Sequence, residues 1–164
     1  MNITDKGLDK VIQSLERLEG NLDNKVDRAL YLAAGQIADE VKSGLQSIPI
    51  HENDYGRSPW VKNGQKLNGI TATEKADLLG GFGIAHFRKG DGYVETSIGF
   101  TGNGSVPTKK YPSGVPNRVL MRTVESGNSI RRKIPVIRPA VNRVKKRAEE
   151  TIKQELIKQI KEEI

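Results

Sequence analysis

PAVNRVKKRAEETIKQELIKQIKEEI, residues 139–164, is the stretch whose reading decides the fold. Pro139 stands where the first turn of a helix tolerates a residue without an N–H, and Val141, Val144, Ala148, Ile152, Leu156, Ile160 and Ile164 follow at helical steps. The spacing predicts a C-terminal helix over 139–164. At 1.5 Å per residue, some twenty-five residues make a rod of roughly 38 Å, more than a domain of this size needs to cover its own sheet. Its far end is therefore expected to project toward a neighbour.

Working back from that helix, residues 117–138 hold a short element and a connector. Val119, Leu120, Thr123 and Val124 fit a helical face slightly better than an alternating one, and Gly127 stops the element. Residues 101–116 are rich in Gly, Pro and Lys and read as a loop. Residues 78–100 read as a β-hairpin. Phe82–Phe87 and Tyr93–Phe100 are its strands, with Val94, Thr96, Ile98 and Phe100 on one face and Glu95 and Ser97 on the other. Arg88-Lys89-Gly90-Asp91-Gly92 is the expected connection, so the strands should be antiparallel neighbours.

Residues 46–77 show no periodicity. Pro49, Gly56, Pro59, Gly64 and Gly69 are scattered among polar residues around Trp60, which predicts a long flexible loop with an aromatic docking anchor. Residues 1–45 are expected to form a helical hairpin. Leu8, Val11, Ile12, Leu15 and Leu18 make a first amphipathic helix that Gly20 and Asn21 end. Leu22, Val26, Ala29, Leu30, Ala33, Ile37, Val41 and Leu45 make a second, whose small residues Ala29, Ala33, Ala34 and Ala38 suit close packing. Gly35 within it is tolerable if another backbone element approaches there. These elements make residues 1–164 a single α+β domain, with a small antiparallel sheet packed against two N-terminal helices and a long C-terminal helix, joined by long flexible loops.

A length of 164 residues supports one core without disulfides or metal, and the chain has no cysteine. No stretch approaches the ~20 apolar residues of a membrane span, and the acidic N-terminus lacks an apolar h-region, so neither a Sec-secreted nor a membrane-integral protein is expected. The net charge of +7 is unevenly placed. Residues 1–100 carry 12 basic and 14 acidic side chains, net −2, whereas residues 101–164 carry 15 and 6, net +9. Between 101 and 148 the only acid is Glu125, so this segment must face water or an anionic partner.

No catalytic, cofactor-binding or metal-ligating residue is expected. His51 and His86 form no HExxH pair, and no thiol is present to complete a zinc site. Gly64 and Gly69 have P-loop spacing, but Ile70 stands where the phosphate-binding Lys is required. Gly81, Gly83 and His86 break a dinucleotide fingerprint in the same way, and there is no GxSxG elbow.

Residues 119–140, VLMRTVESGNSIRRKIPVIRPA, give Glu125-Ser126-Gly127 followed by Pro135-Val136-Ile137-Arg138-Pro139-Ala140 and a long helix. In this the chain resembles the gene-ten-like tail-completion or head–tail joining proteins of long-tailed bacteriophages and prophages. Gly7-Leu8 at the start, and Asp77, Leu78 and Ile84 ahead of the sheet, also fit that pattern. Lys75-Ala76 stands in place of the family's Thr-Gly, and Val136-Ile137 in place of Phe-Leu.

The resemblance implies a structural protein of the virion neck, present in the host cytoplasm before assembly. It would form a homo-oligomer, a ring of six when assembled and a monomer when free, between a head connector or stopper protein and the tail tube protein. No cofactor and no membrane are implied. The interface candidates are Trp60, the basic run Arg131, Arg132 and Lys133, and Ile152, Leu156 and Ile160 on the last helix, with Glu125 and Arg138 expected to pair across the turn. The alternative is a basic nucleic-acid-binding module gripping phosphates with residues 109–147, in contacts without sequence specificity.

Overall fold

The computed structural model describes residues 5–51, 66–90 and 93–162, with residues 5–23 as helix backbone alone. The elements are α1 (Asp5–Ser47), α2 (Ala72–Gly81), β1 (Phe82–Ile84), β2 (Arg88–Gly90), β3 (Tyr93–Glu95), β4 (Ile98–Phe100), α3 (Asn117–Ser126) and α4 (Ile137–Lys161). The fold is α+β, with long helices at both ends and short antiparallel ladders between them. None of the helices is long and apolar enough, over the described residues, to cross a membrane.

The N-terminal hairpin expected over 1–45 is one helix of 43 residues. The steps from Leu15 through Leu18, Leu22, Val26 and Ala29 to Ala33 keep helical phase across Gly20, and a lone internal glycine costs only about 1 kcal/mol against Ala. A second correction concerns residues 46–77, where the expected flexible loop ends early. Ile50 and Ile70 form a parallel bridge, and α2 starts at Ala72. Thr71 and Glu74 build a reciprocal capping box: Glu74 N–H donates to Thr71 Oγ1 at 3.0 Å, and Thr71 N–H donates to Glu74 Oε2 at 3.0 Å.

Lys75 occupies the other face of that turn. Its ammonium donates to the Gln46 and Ile48 carbonyls at 2.5 and 2.9 Å, satisfying acceptors that the end of α1 leaves open.

The hairpin is antiparallel as expected, but its ladder is broken in two. β1 pairs with β4 through Phe82↔Phe100, Gly83↔Gly99 and Ile84↔Ile98. β2 pairs with β3 through Arg88↔Glu95, Lys89↔Val94 and Gly90↔Tyr93, so Arg88 and Lys89 belong to a strand and not to the connection. Between the ladders, residues 85–87 oppose residues 96–97, which shifts the register by one as a bulge does. Ala85 N–H donates to Ser97 O at 2.7 Å, and Thr96 Oγ1 donates to Ala85 O at 2.8 Å across it. The outer ladder leans on α1, where Lys89 Nζ meets Asp27 Oδ2 at 2.6 Å.

Helices α1 and α4 run antiparallel, in a register set by Glu40 with Arg143, Gln36 with Thr151, and Arg28 with Glu155. Small side chains line the contact, with Ala29, Ala33, Ala34, Ala140 and Ala148 all buried. The close approach that needs a glycine is at Gly44, where an added Cβ would lie 2.6 Å from Val136 Cγ1. A Cβ at Gly35 would meet open space, so no backbone element among the described residues approaches there. The projecting element also differs. The Arg28–Glu155 level lies six residues from the end of α4, so the α1 backbone ahead of about residue 22 runs on for roughly 25 Å beyond its partner.

The core sits at the opposite end. Val41, Leu45 and Ile48 of α1 pack with Ile70, Leu78, Leu120, Met121, Val124, Val136 and Ala140. Phe82 and Phe100, with ring centroids 5.1 Å apart, close its edge. Asn117, buried at the start of α3, donates to Asp77 O and Thr101 O and ties α2 and β4 to α3. Asp77 in turn accepts both the N–H and the hydroxyl of Ser105, which fastens the loop 101–116 to α2.

Candidate functional site

The residues of the motif at 125–140 form one joint between α3 and α4. Helix α3 buries Asn117, Leu120, Met121 and Val124, which leaves Glu125 on its flank toward the first turn of α4. Gly127 ends α3 at φ 72°, a conformation that side chains other than glycine's rarely adopt, and donates its N–H to Thr123 O. The chain turns back through Asn128, whose Oδ1 accepts the N–H groups of Ile130 and Arg131, and returns along α3 with Ile134 N–H on Val124 O at 2.8 Å.

Glu125 then serves as the N-terminal cap of α4 from outside that helix. Its Oε2 accepts the N–H groups of Val136 and Ile137 at 2.6 and 2.9 Å, and its Oε1 accepts that of Arg138 at 3.1 Å. A helix leaves its first four N–H groups unpaired, and Pro139 contributes none. One carboxylate thus satisfies the exposed amide positions of the first turn and places a negative charge at the positive end of the helix dipole.

Burial works to raise the pKa of Glu125, but the hydrogen bonds from Val136, Ile137 and Arg138 and the charge of Arg138 outweigh it, so the carboxyl titrates below its ordinary value. The expected side-chain pair between Glu125 and Arg138 is corrected accordingly. The bond is to the Arg138 backbone, and the guanidinium acts through its field.

Arg131, expected on an interface, is inside the protein and 4 % exposed. Its Nη2 lies 3.0 Å from both Glu74 carboxylate oxygens, which couples the turn after α3 to the capping box of α2. The physical reason is its position opposite Leu67. Leu67 N–H donates to Ile130 O and Arg132 N–H donates to Leu67 O, a parallel bridge that lays the Arg131 side chain beside Glu74. Its neighbours Arg132 and Lys133 are exposed.

On α4 the contacts with α1 follow Ala140, Val144, Ala148, Thr151 and Glu155. Ile152, Leu156 and Ile160 flank that seam, half-buried, because a four-residue step advances about 40° around a helix and drifts off a straight contact line. Trp60 lies outside the described residues.

No cluster of three or more His, Cys, Asp or Glu side chains suited to a metal occurs among the described residues. A cavity of about 260 Å³ beside β1 and β4 is lined by Gly81, Phe82, Ser97, Phe100 and their neighbours, without an ionisable side chain. His86 is exposed on the hairpin.

Sequence reasoning missed the Thr71/Glu74 capping box, although the Thr-x-x-Glu spacing was readable. The pairing of Glu74 with Arg131, 57 positions apart, had no local signal. No family model, curated protein or solved structure matches the chain.

Proposed function

We propose that this chain is a structural subunit of the head–tail joint of a tailed bacteriophage, acting by self-assembly and docking in tail completion. The observation that carries the reading is the α3–α4 joint. The residues that bear the resemblance, Glu125, Gly127 and Val136–Pro139, form one built unit in which a carboxylate caps the long C-terminal helix. Such a joint holds α3 at a set angle to a paired-helix arm, the type of rigid element a ring subunit needs to present two different surfaces to its neighbours.

The α1 backbone that runs past the end of α4 supports the same reading. Such an overhang offers a sister copy or a tail component a helix to dock on.

The test is assembly. Purified protein is mixed with the head connector and tail tube proteins of the phage or prophage that encodes it and examined by multi-angle light scattering and negative-stain microscopy. Closed rings bound to one or both partners are expected. Persistent monomers with both partners present, together with infectious tailed particles formed after deletion of the gene, would refute the proposal.

A further inference from the structure

The cations of residues 109–147 fall into two groups. Arg131 is held by Glu74, Arg143 by Glu40 and Lys145 by Glu149, while Lys110 lies over the Tyr111 ring; Lys109, Lys146 and Arg147 are exposed on the loop 101–116 and on α4. Arg118, Arg122, Arg132 and Lys133 are exposed and have no acidic side-chain partner among the described residues. Glu125 is the one acid between residues 96 and 148, and three backbone N–H groups already occupy it.

The fold gathers these unpaired cations at one end of the molecule. At 100° per residue, Arg118 and Arg122 fall on the side of α3 away from buried Leu120 and Val124. That side adjoins Glu125, and so the first turn of α4 with exposed Arg138. The segment returning from Asn128 brings Lys133 alongside Gly127, where an added Cβ would lie 2.8 Å from Lys133 N.

The geometry points to a phosphate-binding face for duplex nucleic acid, built by Arg118, Arg122, Arg132, Lys133 and Arg138. An acidic protein partner is disfavoured because stable protein interfaces centre on aromatic or apolar anchors. Among the described residues the exposed large apolar side chains Tyr31, Leu32, Ile50, Tyr93 and Ile157 belong to other parts of the chain, and Ile130 borders the face. Single strands are disfavoured because none of the aromatic rings among the described residues lies on it for base stacking. Cations on flexible stems, without fixed partners, suit the regular charge of a duplex backbone and carry no base readout. The face goes beyond the assembly reading and holds for a free monomer as well as for a ring subunit.

Fluorescence anisotropy of a labelled duplex of about 30 base pairs, titrated with the full chain between about 50 and about 200 mM KCl, tests the face. Four to five neutralised phosphates predict an affinity loss on the order of 10²-fold over that range. Arg118→Glu with Arg122→Glu should weaken binding at least ~10-fold and lower the salt slope by about 2. Lys153→Glu with Lys158→Glu changes the net charge equally on exposed positions of distal α4, and should stay within about threefold of the parent.

The first pair should fold, since position 118 is in the first turn of α3, where a carboxylate suits the dipole. Arg118→Gln with Arg122→Gln repeats the slope measurement without charge reversal. Absence of binding at the lowest salt, equal losses in the two charge-reversed variants, or tighter binding of labelled polyglutamate than of duplex would each overturn the proposal.

Discussion

Replacing Glu125 by Gln is the sharpest probe of the α3–α4 joint. The carboxylate accepts three N–H groups at 2.6, 2.9 and 3.1 Å, at the end of a 25-residue helix. Loss of a capping side chain costs about 0.5–2 kcal/mol, and hydrogen bonds to charged groups contribute about 1.5–3 kcal/mol. Solvent reaches this partly buried carboxylate, so the expected cost at neutral pH is about 2 kcal/mol for Ala and about 1 kcal/mol for Gln, which keeps one carbonyl acceptor. For a chain of this length that corresponds to roughly 4–8 °C and roughly 2–4 °C in Tm.

The pH dependence gives the sign. The folded pKa of Glu125 is lowered, so its contribution is fully present above the unfolded value near 4.5 and is lost as pH falls from there through the lower folded value. A protonated Glu and a Gln have nearly the same shape and donor capacity. The stability gap between the parent and Glu125→Gln should therefore close on acidification, whereas the gap to Glu125→Ala narrows by the same amount and leaves about 1 kcal/mol. Urea denaturation at neutral pH and at a series of acidic values checks this. A Gln variant as stable as the parent at neutral pH, or a gap that stays constant into strong acid, would refute the capping argument.

Two glycines of α1 should respond in opposite directions. Gly35→Ala meets open space and should stabilise by about 0.5–1 kcal/mol, while Gly44→Ala drives a methyl into Val136 and should cost about 1–3 kcal/mol, both read by thermal unfolding. Arg131→Met should destabilise by roughly 3 kcal/mol because it strands the Glu74 carboxylate, and adding Glu74→Gln should recover part of that loss in a double-mutant cycle by denaturant titration. An Arg131→Met variant as stable as the parent would show that the pair is incidental.

Sequence alone determined the elements whose signals are local. The C-terminal helix follows from its apolar steps and Pro139, the third helix from Val119 to Val124 and its stop at Gly127, and the antiparallel hairpin from alternation around Gly90 and Gly92. Glu125 was also marked in the sequence, by the Glu-x-Gly pattern that precedes Arg138-Pro139, but its partner was misassigned. Side-chain chemistry suggested the Arg138 guanidinium, whereas unpaired backbone N–H groups exist only once the helix has formed.

Tertiary structure decided what depends on contacts between distant positions. The two expected N-terminal helices run on as one, since a lone internal glycine such as Gly20 costs a helix only about 1 kcal/mol. Tertiary structure moved Arg131 from the surface to the interior by placing Glu74 against it. It also made Gly44, and not Gly35, the site of close approach, because the crossing point of two helices is set by every side chain between them and leaves no mark on local sequence.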